Sequence, residues 1–407
     1  MKFSKLSQLF LVSTIGLLVA TLLTACQLVT IDYLFVASSA GSGSGSAGQI
    51  QTYAVDSQTG VVRTAAPTVA SGGVGPIAMA VTSDYANLYI ANQGNNSVVH
   101  FTIAGNGVLT SKDTLTTSTV PVSLAVSTDN KYLYVATGSS SATLTEYALS
   151  SGTIGASVAQ ISLVVPGYTG DTIVPTGVNV LVKSSALTTP SAVYVTAYDK
   201  SAYNPGGTIT SIANSGWVFG FAIGSGGALT AATGSPYQAG VKPSGIASDP
   251  AGRFVYVTDY ASNELIGYTV QGGSVLDSMV NGPFKTANEP SAICIDPRGS
   301  FIYVSDALSS VISAYAITLA TGTPSTLSYT TGAAATDTYP VAIIVEPALG
   351  RFVYTANQLG NSVSGLRLDP TAGTLTETMA TPYPTGNAPT ALIAVPHGNH
   401  SVQSVTP

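Results

Sequence analysis

Charge is the first thing this sequence lacks. Lys, Arg, Asp and Glu make up 8% of its 407 residues, against about 25% in an ordinary soluble domain. Ser, Thr, Gly and Asn must therefore solvate the surface. The balance that remains is acidic, −6 with a pI near 4.9, which excludes the basic stripe of a nucleic-acid binder. Cysteine is down to two, Cys26 and Cys294, and histidine to three. No cysteine–histidine spacing suggests zinc, no glycine-rich loop opens a helix, and no Gly-x-Ser-x-Gly elbow joins a strand to a helix. Neither a cofactor nor a metal is expected.

What the sequence has instead is repetition. Arg253 to Val270 (RFVYVTDYASNELIGYTV) reads as two short strands around a polar turn. The phrase occurs seven times. Its first strand carries Phe35, Tyr89, Tyr134, Tyr194, Tyr256, Tyr303 or Tyr354, and its second carries Tyr53, Phe101, Tyr147, Phe221, Tyr268, Tyr315 or Leu366. Seven proline-led apolar runs alternate with these hairpins, opened by Pro76, Pro121, Pro175, Pro243, Pro290, Pro340 and Pro389. Strand repeats of roughly 40–50 residues predict a β-propeller with one four-stranded blade per repeat. The proline-led runs become the inner strands A, and the hairpins become strands B and C. Turns such as Asp249-Pro250-Ala251-Gly252 and Asp296-Pro297-Arg298-Gly299 join A to B, with proline presetting φ and glycine tolerating positive φ.

The count is seven, and the two ends complete it. Tyr33–Ala37 is a B strand with no A strand before it, and Pro389 to Val395 is an A strand with no B strand after it. Their pairing closes an all-β, seven-bladed propeller over residues 33–395 and hides edges that an open array would expose. The chain then enters and leaves on the face of the A–B turns.

Residues 1–25 read as a signal peptide: Lys2 and Lys5 form a basic n-region and Leu9 to Leu23 an apolar h-region. The end, Leu23-Thr24-Ala25-Cys26, resembles a bacterial lipobox, which implies lipid on Cys26. Residues 26–32 become a tether, Gln27 is compatible with outer-membrane sorting, and the expected location is the cell envelope. The membrane would then be a partner, held through Cys26 close to the A–B face. Residues 396–407 are a C-terminal tail. Cys294, in an apolar run, is expected to be a buried small hydrophobe.

The strand phrases Leu88-Tyr89-Ile90-Ala91-Asn92, Tyr134-Val135-Ala136-Thr137, Tyr256-Val257-Thr258-Asp259 and Tyr354-Thr355-Ala356-Asn357 carry a resemblance. So does Leu366 to Leu375 (LRLDPTAGTL). The chain resembles the lactonase-type propellers, the 6-phosphogluconolactonase-like and muconate-cyclase-like family with YVTN-type repeats, over about Tyr33 to Val395. The resemblance implies a seven-bladed fold and, for activity, sugar-lactone hydrolysis. It also implies Arg and His just after the strand A prolines. Here those positions read Ile77-Ala78, Val122-Ser123, Thr176-Gly177, Ser244-Gly245, Ser291-Ala292, Val341-Ala342 and Thr390-Ala391. None is ionisable, while lactone hydrolysis needs a base or a metal-activated water. No catalytic residue can be carried across.

His100 on a C strand, and His397 and His400 in the tail, are expected to be surface or structural. Asn92, Asp259, Asp306 and Asn357 share the position that ends strand B, where a ring of oxygen ligands for a hard cation competes with capping of each B–C turn; capping is preferred. Gly41 to Gly48 (GSGSGSAG) reads as a flexible B–C loop. The repeat is broken most at Tyr198 to Ser215 and at Pro166 to Val174, both in blade 4. These loops bring Tyr168, Asp171, Tyr198, Asp199, Lys200, Tyr203 and Asn204 above one side of the channel, with Trp217 behind them as packing. Long loops often carry function and tyrosine favours interfaces. The expectation is a lipid-anchored propeller that binds a protein, glycan or small molecule on its B–C/D–A face without turnover. A lactonase-like hydrolase is the alternative, and a structural component acting by copy number a third.

Overall fold

The computed structural model describes residues 29–39, 47–139, 141–168, 172–183, 186–203, 215–327 and 334–398. Seven antiparallel sheets form seven blades, and their inner strands contact one another in a closed ring. Blade 1 takes strand A from one end of the chain, Pro389–Pro396, and strands B to D from the other: Thr30–Ser38, Ala47–Asp56 and Val62–Val74. The register sets Tyr33 opposite Val395 and Phe35 opposite Ile393. The closure expected from the two incomplete ends is therefore present. Blades 2 to 7 follow at residues 76–116, 121–162, 173–238, 243–285, 290–335 and 340–384. In blades 4 to 7 the outer strand is split, as where Val275–Ser278 and Phe284–Lys285 both pair with Glu264–Gln271.

Strand B lies between A and C and between neighbouring blades, which is why it reads as an unbroken apolar run. Every residue of Phe254–Asp259 and of Phe301–Asp306 is buried. The repeated tyrosines do more than fill this space. Strand B tyrosines donate to a carbonyl in the C–D turn of the next blade: Tyr89 to Gly152 (2.5 Å), Tyr194 to Ser274 (2.9 Å), Tyr256 to Gly322 (2.6 Å), Tyr303 to Gly373 (2.8 Å) and Tyr354 to Gly60 (2.7 Å). Strand C tyrosines reach back to the preceding blade: Tyr53 to Pro384 (2.8 Å), Tyr315 to Lys285 (2.5 Å) and Tyr268 to Gln238. The repeat is thus a chain of latches. Gly322 shows how tightly it closes: with φ of +76°, an added Cβ would stand 2.4 Å from the Phe254 ring of blade 5. Tyr256→Phe should cost about 1–3 kcal/mol, because it leaves the buried Gly322 carbonyl unpaired. Urea unfolding within about 0.3 kcal/mol of the parent would show that the latch adds nothing.

The A–B turns are held by their acids. Asp249 Oδ1 accepts the amides of Arg253 and Phe254 at 2.5 and 2.7 Å, and Asp296 Oδ1 those of Ser300 and Phe301 at 2.6 and 2.8 Å. Arg298 extends to the next blade and donates to Gly350 O (2.9 Å) and Leu349 O (2.8 Å).

The inner strands share a device invisible in the sequence. In every blade the register slips by one at the residue after the strand A proline. Such a β-bulge re-aims a side chain, here that of Ile77, Val122, Thr176, Ser244, Ser291, Val341 or Thr390. Three of the hydroxyls donate to the proline carbonyl of the next blade: Ser244 to Pro290 (2.5 Å), Ser291 to Pro340 (2.7 Å) and Thr390 to Pro76 (2.6 Å). They form part of an inner collar. No helix among the described residues is long and apolar enough to cross a membrane.

Candidate functional site

The D–A loops deliver the residue before each strand A proline to the face opposite the A–B turns. In three successive blades that residue is Lys242, Glu289 and Tyr339. The B–C turn of blade 5 adds Tyr260, and the broken B–C connection of blade 4 adds Tyr198 and Tyr203. Glu289 and Tyr339 hold left-handed φ values of 58° and 61°, a conformation that costs a non-glycine residue on the order of 1 kcal/mol or more.

These groups converge. Tyr260 OH donates to Glu289 Oε2 at 2.6 Å and lies 3.0 Å from Tyr339 OH. Since the Tyr260 proton points at the carboxylate, Tyr339 is the donor of the second bond. The result is a directed relay from Tyr339 through Tyr260 to Glu289. The Lys242 ammonium lies 4.0 Å from the centre of the Tyr260 ring, 4.3 Å from that of Tyr203 and 5.8 Å from that of Tyr198, inside the range of a cation–π contact. Its backbone is clamped by Asp259, whose oxygens accept the amides of Val241 and Lys242, each at 2.9 Å. Burial lowers the Lys242 pKa, and the Glu289 and Asp259 charges pull it partly back. Burial first, then the hydrogen bond to Glu289, pushes the Tyr260 phenol up. Lys242, Tyr260 and Gln358 rim a cavity of about 550 Å³ that continues down the channel, walled by the bulged residues of all seven blades.

Of the residues expected to bind, Tyr198 and Tyr203 reach this cluster and pack edge to face at 6.1 Å. Tyr168 and Asp199 do not reach it. Tyr168 OH donates to Asp199 Oδ2 at 2.7 Å, and its ring meets Trp217 edge-on at 4.7 Å. Asp199 Oδ1 accepts from Ser201 N and Oγ at 2.9 and 2.6 Å. Burial raises the Asp199 pKa, but the bonds from Ser201 and Tyr168 outweigh it and hold it below the ordinary range. Both side chains are thus committed to holding blade 4 together. Lys200 is exposed, while Asp171 and Asn204 lie outside the described residues, as do Cys26 and His400. Trp217 is buried packing, as expected.

The four residues ending strand B are wholly buried and bonded within the protein, though Asn92 does not cap its own turn as expected. Asn357 Nδ2 donates to Ser362 and Ser364 of its own hairpin, each at 3.0 Å. Asp259 caps its own turn at Ala261 N (3.2 Å), besides clamping the preceding loop. Asn92 Oδ1 accepts from Ser71 of blade 1 at 2.7 Å, and Asp306 Oδ2 from Ser313 Oγ at 2.7 Å. No group of three or more His, Cys, Asp or Glu that could hold a metal occurs among the described residues. His100 is buried against Asp113 and, at 2.8 Å, Asn87 Oδ1. His397 packs on Tyr33 at 5.0 Å. Burial pushes the Cys294 thiol up, away from the thiolate that reactivity needs.

Lys242, Glu289, Tyr260 and Tyr339 are absent from the sequence expectation, which rests on the positions after the proline. A signal existed one residue earlier, in Lys242-Pro243, Glu289-Pro290 and Tyr339-Pro340.

A closed seven-bladed ring with a polar mouth over an uncharged channel defines a β-propeller with a candidate site on its axis. The family model "Lactonase, 7-bladed beta-propeller" matches residues 47–169 and 218–392, and the chain belongs to that family. Solved structures agree on the fold. The periplasmic gluconolactonase of Pseudomonas aeruginosa is 18% identical with a TM-score of 0.70, over 90% of this chain and 99% of its own. A protein named as a candidate 6-phosphogluconolactonase from Bacteroides fragilis is 18% identical with a TM-score of 0.67, over 90% and 98%. One so named from Bacteroides uniformis is 17% identical with a TM-score of 0.69, over 90% and 99%. No curated protein matches the sequence.

Proposed function

We propose that the chain is a lactonase-type hydrolase working at the channel mouth. The observation that carries this reading is an ammonium, Lys242, and a phenol, Tyr260, at the rim of a cavity of about 550 Å³, with the Glu289 carboxylate and the Tyr339 phenol hydrogen-bonded to Tyr260 behind the rim, in a chain of the lactonase family. Glu289 takes a proton from water as its oxygen bonds to the lactone carbonyl carbon. The Lys242 ammonium stabilises the oxyanion of the tetrahedral intermediate. When the ring C–O bond breaks, Glu289 returns the proton to the departing oxygen, giving the open hydroxy acid. The uncharged channel wall alone favours binding over turnover; the residues before Pro243 and Pro290 supply the cation and base that the wall lacks. Initial rates over a panel of sugar lactones, measured against spontaneous hydrolysis, test the reading, and no saturable excess over the spontaneous rate sinks it.

A second reading, binding without turnover, is favoured by the three tyrosine rings set about one ammonium. It requires calorimetric binding of a lactone or its acid with no product formed.

Lipid attachment at Cys26 remains our proposal for location. Supporting it, Val29 lies three residues beyond Cys26 and its carbonyl accepts Ser57 N of a C–D turn at 2.9 Å, so a tether would leave from the A–B side and the Lys242 mouth would face away from the membrane. Cys26→Ala should move the protein from the washed membrane pellet to the soluble fraction; retention in the pellet argues against it.

A further inference from the structure

We infer that the lactone accepted at the Lys242–Glu289 mouth is an uncharged one, a sugar lactone bearing no phosphate or other fixed anionic group. This rests on the hydrolase reading and deepens it. Of the 13 Lys and Arg in the sequence, eleven lie among the described residues; Lys2 and Lys5 lie in residues 1–28, outside them. All five arginines, 63, 253, 298, 351 and 367, belong to the A–B or C–D ends of their blades, on the far side of the channel. Lys131 and Lys183 lie there too, and Lys112 is on the outer strand of blade 2. On the mouth side, Lys285 is engaged with Glu264 at 2.8 Å on blade 5. Lys200 is exposed on the broken loop, and among the described residues Lys242 is the cation set against the Tyr198, Tyr203 and Tyr260 rings.

Beyond residues 1–28, the undescribed segments add no cation to this count. Residues 40–46, 140, 169–171, 184–185, 204–214 and 328–333 contain no Lys or Arg, and Asp171 among them adds a negative charge. Lys242 is itself offset by Glu289, which is held in the same cluster through Tyr260. With Asp259 also against the Lys242 backbone, the site carries no net positive charge.

A phosphate monoester brings a charge of about −1.5 to −2 and three oxygens that need charge-assisted donors. Recognition of such a group is usually built from arginine forks or from backbone amides at a helix start. The channel wall offers neither. The collar hydroxyls of Ser244, Ser291 and Thr390 are already spent on proline carbonyls. Placing a dianion beside Glu289, over a wall of Ile77, Val122 and Val341, would leave it unpaired in a poorly solvated cavity. A neutral polyhydroxylated ring meets no such penalty, and its C–H faces match the Tyr260 ring at the cavity rim.

The test compares kcat/KM for glucono-δ-lactone and for its 6-phosphate on the same preparation. Preference for the neutral lactone by at least about tenfold is expected, and equal or greater use of the phosphorylated one overturns the inference. Val341→Arg, which adds a cation to the wall beneath Tyr339, should shift the ratio toward the phosphorylated lactone by about tenfold. Should that variant fail to fold, calorimetry on the parent protein with gluconate and 6-phosphogluconate gives the same comparison without turnover. Tighter binding of gluconate supports the inference; tighter binding of the phosphorylated acid, or binding of neither, overturns it. The absence of any turnover would instead remove the hydrolase reading, leaving the binding preference to decide the charge class.

Discussion

Glu289→Gln should lower kcat for lactone hydrolysis by at least about a hundredfold while leaving the thermal unfolding midpoint nearly unchanged. The amide keeps the size of the side chain and can still accept the Tyr260 hydrogen bond, now 2.6 Å long, but it cannot take a proton from water. Loss of a positioned base is worth roughly 10²–10⁴ in rate. Lys242→Met should cost about as much for a different reason. The apolar stem is kept, while the ammonium that lies over the Tyr203 and Tyr260 rings and would face a developing oxyanion is gone. Because burial lowers the Lys242 pKa, the alkaline limb of the parent's pH profile should begin below the range of an ordinary lysine and be absent in the variant. Tyr339→Phe, which removes only the far end of the relay, should cost less than either. Activity of Glu289→Gln within about threefold of the parent would show that this carboxylate is not the base.

The fold was legible because one residue type performs one task in blade after blade. Tyr89, Tyr256, Tyr303 and Tyr354 recur at the same place since each must reach a carbonyl of the next blade, so the latch leaves a periodic trace. Ring closure was legible for a similar reason: the surplus B strand at Tyr33 and the surplus A strand at Pro389 each lacked what the other supplied. The site obeys no such rule. Lys242, Glu289 and Tyr339 occupy equivalent positions in three blades but differ in chemistry, and only the closed ring makes neighbours of residues so far apart in sequence. The break at Tyr198 to Ser215 brings Tyr198 and Tyr203 to the Lys242 cluster. Asp199 from that stretch and Tyr168 from the Pro166 to Val174 connection satisfy each other instead. Nor could composition reveal the bulges after the prolines, which turn Ser244 and Ser291 from filler into donors.

Asp306→Asn should stabilise the protein at pH 8 by about 2 kcal/mol and by almost nothing at pH 4. Asp306 is wholly buried, and its Oδ1 has no hydrogen-bond partner. Burial raises its pKa from 3.8 to about 7, although Ser313 donates to its other oxygen. The folded chain thus holds this proton more tightly than the unfolded one. Its contribution to stability is complete below the unfolded pKa and is lost as pH rises through about 7. Every tenfold in proton affinity between the folded and unfolded chain is worth about 1.4 kcal/mol, so the whole difference would exceed the expected gain; relaxation and water reaching the site reduce it. The substitution is not foreign to the position, since blades 2 and 7 already place Asn92 and Asn357 there. Glu146, raised by burial to about 7, and Asp32, raised by burial and by the Glu346 carboxylate beside it, act in the same sense. The parent should accordingly be more stable near pH 5 than near pH 8, and Asp306→Asn should flatten that slope. Urea unfolding at the two pH values reads both effects, and an equal gain from the substitution at pH 4 and pH 8 would mean that the benefit comes from hydrogen bonding rather than from removal of a buried charge.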